Sequence, residues 1–131
     1  MQLQSTVVFI ISLVVIDFVW LKGASRLHAE MALKVQNSPL KVSPMWAAGF
    51  YLLAAVAFKG VVIPLSGGKD VFKTGALLGL LMYGTFDFTN RAIFSNYPSD
   101  YALMDTAWGT FAMGAASYVT VEICKRLAIP L

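Results

Sequence analysis

The chain has 131 residues, of which 58% are hydrophobic and 13% charged, with a formal net charge of +3. Ten basic and seven acidic side chains cannot cover the surface of a water-soluble unit of this size. That excludes an ordinary soluble enzyme, a disordered chain and a nucleic-acid binder, and a mean hydropathy of +0.70 points to an integral membrane protein.

A helix needs about 20 mainly apolar residues to cross about 30 Å of hydrocarbon. The first such span covers residues 4–21, with the run STVVFIISLVVIDFVWL stopped by Lys22. No Lys or Arg precedes it and Asp17 interrupts it, so it is expected to remain as a span and not to leave as a signal peptide. Residues 22–43 form the one long connection. Within it Leu27, Met31 and Val35 recur every four residues among Arg26, His28, Glu30 and Lys34, which predicts an amphipathic helix at the membrane surface or an extension of the first span. His28 falls on the polar side and is expected to be solvated.

The second span covers residues 44–65 around WAAGFYLLAAVAF, and SGGKD at residues 66–70 makes a polar turn after it. The third covers residues 72–94. SNYPSD at residues 95–100 then leads to the fourth, residues 101–123, stopped by Lys125 and Arg126. Asp100 is the expected cap of that helix, with Ser99 as the alternative. Short links force neighbouring helices antiparallel. The expected architecture is therefore an all-α, multi-pass membrane bundle of four antiparallel transmembrane helices, forming one domain over residues 1–131. Lys and Arg divide evenly between the two sides of this arrangement, so their distribution does not orient it. The single Cys124 excludes an internal disulfide.

Asp17, Asp87 and Asp105 lie inside the spans, where a charge is costly and usually faces protein or water. At a rise of 1.5 Å per residue they fall about 6, 10 and 6 Å from the same boundary. Asp17 and Trp20 form a D-x-x-W step, Asp105 and Trp108 form another, and Asp87 and Asn90 form D-x-x-N. Positions i and i+3 share a helix face, and Arg91 is placed to pair with Asp87 at i,i+4. Gly75, Gly79 and Tyr83 lead to Asp87 in steps of four, while Gly109, Ala112 and Ala116 follow Asp105 on the fourth span, so these helices can approach closely.

These residues predict a polar site of Asp17, Asp87, Asn90, Arg91 and Asp105 walled by Trp20, Tyr83 and Trp108. It would bind or transport a small cationic or hydrogen-bonding solute, or a proton. The alternative is an accessory or structural subunit of a larger membrane complex, with the acids serving as interhelical glue. No His lies in a span and no Cys lies near the acids, so no catalytic or metal residue is assigned and an enzyme is the weaker reading. No cofactor is identified. The expected partners are the lipid bilayer and either further copies of the chain or a larger membrane complex; transport by so small a unit would require an oligomer.

The chain also resembles a family of small predicted membrane proteins, the domain-of-unknown-function family two-one-seven-seven. The likeness lies in Asp17-x-x-Trp20-Leu21, in Tyr83-Gly-Thr-Phe-Asp87-Phe-Thr89-Asn90 and in Asp105-Thr-Ala-Trp108-Gly109-Thr110. It implies a four-helix membrane protein and carries no reaction, substrate or cofactor with it.

Overall fold

The computed structural model describes residues 2–131, which form helices and short links with no strand among the described residues. Helix α1 runs from Leu3 to Gly23. Its buried stripe of Ser5, Phe9, Leu13 and Asp17 recurs at helical spacing, while Val7, Ile11, Val15 and Phe18 face outward. Ala24 leaves the helical angles at φ −107° and ψ 20°, and α2 begins at the next residue, Ser25–Gln36. The amphipathic stretch is thus a separate helix. Leu27, Met31 and Val35 pack against buried Tyr97, Tyr101 and Ala102. His28 departs from expectation: this packing buries it to 7% exposure, because α2 lies on protein where solvent was expected. Asn37 closes α2 in the left-handed conformation at φ 54°, one of the few roles in which a residue other than Gly tolerates that region.

The next rod comprises α3, Pro44–Ala57, a π-helical turn over Phe58–Val62 and α4, Ile63–Ser66. Pro64 explains the interruption. It has no N–H for the carbonyl of Gly60, and its ring would crowd that carbonyl, so the preceding turn widens. The widened turn stacks Phe58 on Phe9, with centroids 4.3 Å apart, and brings Lys59 Nζ to donate to Ser5 Oγ at 2.9 Å. Lys59 is therefore tied to α1. The reversal that follows needs positive φ at two successive residues, and Gly67 and Gly68 supply it.

Helices α5, Val71–Ile93, and α6, Ser99–Arg126, form the closest pair. A Cβ added at Gly75 would lie 2.6 Å from Ser117 Oγ, one at Gly79 would strike the Gly109 carbonyl, and one at Gly109 would enter the Tyr83 ring. The small residues thus let the two backbones touch, and the falling partner numbers show that the helices run antiparallel. Pro98 occupies the N-cap of α6; Asp100 sits in its first turn and accepts from the Tyr101 N–H at 2.9 Å, so neither Asp100 nor Ser99 is the cap. Pro98 suits that position because its fixed φ is extended and the helix asks no N–H of it.

Two helices combine the length and apolar content of a membrane span, α1 and the Pro44–Ser66 rod. α5 and α6 have the length, 23 and 28 residues. Their glycines, threonines and aspartates, spent on the contact between them and on the cluster described next, lower their hydropathy.

Candidate functional site

Three helices carry the three interior aspartates to one end of the bundle: α1 delivers Asp17, α5 Asp87 and α6 Asp105, at 6%, 0% and 9% exposure. The two D-x-x-W steps interlock. Trp20 Nε1 donates to Asp105 Oδ1 at 2.9 Å, and Trp108 Nε1 donates to Asp17 Oδ1 at 3.1 Å. The two indoles stack with centroids 5.4 Å apart and planes 10° from parallel. This exchange follows from antiparallel packing. Each step presents Asp and Trp on one face, one turn apart, so opposed helices set each acid beside the other's tryptophan.

Asp87 accepts from Tyr97 Oη at 2.6 Å and from Thr106 Oγ1 at 3.1 Å. The expected ion pair with Arg91 does not form: Arg91 is exposed and its Nε donates to Ser99 Oγ at 2.7 Å. Asp87 faces α6, where two hydroxyls supply its donors. Arg91 lies one turn later, at the helix end, where a guanidinium can stay hydrated. Asn90 is half-buried beside Tyr97. Asp105 adjoins Asp87, and Tyr51 reaches Asp17.

A cavity of about 1050 Å³ opens at this end. Asp17, Trp20, His28, Tyr51, Tyr83 and Asp105 contribute to its wall, and apolar side chains of α3, α5 and residues 40–42 make much of the rest. Of the residues expected at the site, the structure brings Asp17, Trp20, Tyr83 and Asp105 to the cavity. Asp87 stands behind them. Trp108 lines a separate shallow groove with Met104 and Phe111, and Arg91 stands apart.

His28, Tyr51, Tyr97, Tyr101 and Thr106 complete the cluster and were not legible as site residues. One signal was available for two of them: the apolar stripe of α2 needed a partner, and Tyr97 and Tyr101, four residues apart, could offer one. His28 Nδ1 lies 2.9 Å from Tyr101 Oη, and the imidazole and Trp20 rings meet nearly perpendicular with centroids 5.5 Å apart. Burial pushes the imidazole below its usual value of 6.5. Exposed by unfolding or undocking of α2, His28 would regain its ordinary proton affinity. The docked form is therefore favoured above pH ~6.5 and loses that advantage as the pH falls below it. Hydrogen exchange in α2 is expected to speed up relative to α1 between pH 7 and pH 5. His28→Gln should remove most of that difference, and an unchanged pH profile in the variant would refute the assignment.

A helical chain with apolar residues outward and carboxylates inward is organised as a membrane protein is. The family model described as "Predicted membrane protein (DUF2177)" matches residues 2–122, and the chain belongs to that family. No curated protein matches the chain, and no solved structure does.

Proposed function

We propose that this is a four-span integral membrane protein whose acid-lined cavity binds a small cationic or hydrogen-bonding solute, or a proton. The observation that carries the reading is that α1 and α6 each bring an aspartate to one cavity wall, Asp17 and Asp105, with no basic partner among the described residues. Four-span insertion is supported by the outward faces of α5 and α6. Leu77, Leu80 and Phe88 on one, and Leu103, Phe111 and Tyr118 on the other, are exposed in the isolated chain. At a rise of 1.5 Å per residue these helices measure about 35 and 42 Å, enough for about 30 Å of hydrocarbon. The interlocked Trp–Asp pairs favour the second reading, an accessory subunit in which the acids tie α1 to α6.

Two measurements test the proposal. In a Cys124→Ala background, Lys69→Cys and Asn96→Cys should react with an impermeant maleimide from opposite sides of the membrane. Labelling from the same side would remove the four-span reading. In lipid nanodiscs, methylammonium, tetramethylammonium or acetamide should raise the melting temperature of the wild-type chain, and Asp105→Asn should abolish the rise. If none of these solutes has an effect and Asp105→Asn melts as the wild type does, the accessory role stands in place of binding.

A further inference from the structure

We propose that the cavity takes an amphipathic amine, a molecule with a single ammonium head and an apolar body of lipid or drug size. This rests on the binding reading above and narrows it to one chemical class.

Size and wall chemistry come first. Pockets for drug-sized ligands occupy roughly 300–1,000 Å³, and this cavity, at about 1050 Å³, is far larger than a methylammonium or a proton needs. Phe18, Leu21, Leu40, Val42, Leu81 and Phe86 form much of its wall, and each is exposed in the isolated chain. A small hydrated ion gains nothing from such a wall. An apolar body gains by leaving water and covering it.

Charge then selects the head. Asp17 and Asp105 are at least nine-tenths buried, and ion pairs among the described residues involve other groups: Arg26 with Glu30, Lys73 with Asp70 and Lys125 with Glu122. Lys22 stands at the cavity but holds its ammonium over the Phe18 ring, 5.5 Å from the centroid. A buried carboxylate lacking a countercharge is costly, and a bound ammonium supplies that charge. An anionic head would add repulsion, and a neutral one would leave the deficit in place. The tryptophan N–H groups hold one oxygen of each carboxylate. That fixes the carboxylates in place while leaving acceptor capacity on both. Trp20, Tyr51 and Tyr83 line the cavity beside them, and aromatic rings attract an alkylammonium.

His28 adds an independent polar group to the same wall. It forms part of the cavity wall at 7% exposure, with its Nδ1 at Tyr101 Oη and the Trp20 carbonyl near the ring, and among the described residues its Nε2 makes no hydrogen bond of good geometry. Buried polar atoms are rarely left in that state. With Nδ1 donating to Tyr101, Nε2 is an acceptor for an amine N–H or for a hydroxyl next to it.

The test compares octylamine, octanol and octanoate on the full chain in nanodiscs, read by quenching of tryptophan fluorescence and by melting temperature, with protein-free discs subtracted. Octylamine should bind at least about tenfold more tightly than octanol, and octanoate should not bind. Asp17→Asn and Asp105→Asn should each weaken octylamine about tenfold while leaving octanol unchanged, and both preserve the tryptophan acceptor, so the fold is retained. His28→Gln should weaken octylamine by a smaller factor. Equal affinity for octanol and octylamine, or indifference of octylamine to both substitutions, would overturn the amine assignment. If octanol or acetamide binds while octylamine does not, the amine class fails and the binding reading survives. If no probe of either series binds, both fall together.

Discussion

Replacing Gly79 with leucine is expected to part α5 from α6 and to leave no monodisperse protein after extraction. The Gly79 backbone rests directly on Gly109: a Cβ there would strike the Gly109 carbonyl and lie 2.8 Å from Met113 Cβ. A carbonyl held in a helix cannot swing aside. α5 would have to move bodily, and the same seam continues one turn away in each direction, at Gly75 against Ser117 and at Tyr83 over Gly109. Ordinary overpacking costs about 1–3 kcal/mol, and a rigid backbone clash exceeds it. Against a total stability of about 5–15 kcal/mol, losing the closest helix pair is decisive. Gly79→Ala should fall between leucine and wild type. Gly49→Ala, where a Cβ meets nothing within 4 Å, should be neutral or slightly stabilising. Size-exclusion profiles and helical circular dichroism of the four proteins check the ordering, and a well-folded Gly79→Leu protein would refute the packing described.

How much of this was legible in the sequence depends on the range of the interaction involved. The four long helices follow from local quantities, the length of apolar runs and the glycine-rich or polar links between them, and the structure holds helices there. The partners of the small residues were legible in kind: steps of four through Gly75, Gly79 and Tyr83 announce a close contact, and α6 provides it. The meeting of Asp87 and Asp105 followed from depth arithmetic, because antiparallel rods joined by a short link have little freedom to slide; Asp17, across the long connection of residues 22–43, was placed with them by its depth alone. What depended on a single side chain's choice between near-equal options was not legible. Arg91 could reach Asp87 or the helix end, and hydration decided for the end. His28 lies beside the apolar stripe of α2, and whether it meets water depends on where that helix docks, which is set some 70 residues later in the chain by Tyr101. The π turn required knowing that Pro64 stays within a continuous rod and does not end it.

Asp87→Ala is expected to be the most damaging substitution within the cluster, and Asp87→Asn a mild one. The carboxylate has no exposure, and its two oxygens accept from different elements: Tyr97 in the link before α6 and Thr106 on α6. Alanine strands both hydroxyls in a buried place. A hydrogen bond to a charged group contributes about 1.5–3 kcal/mol, and each donor left without a partner costs about 1–3 kcal/mol, so a loss on the order of 3 kcal/mol or more follows. Asparagine keeps one oxygen for Tyr97, and the Thr106 hydroxyl, which can accept as well as donate, rotates to meet the new N–H. Its cost should stay near ~1 kcal/mol. The two variants also differ in where the damage spreads. Tyr97 packs edge-on against Tyr101, with centroids 5.8 Å apart, and Tyr101 holds His28 of α2. Asp87→Ala should therefore speed hydrogen exchange across Ser25–Gln36 while sparing the half of α1 that stacks Phe9 on Phe58, at the far end of the bundle. Asp87→Asn should leave both regions protected. Equal melting temperatures for the two variants, or loosening confined to α5 and α6, would mean that the hydroxyls of Tyr97 and Thr106 do not depend on this carboxylate and that α2 is held by its apolar contacts alone.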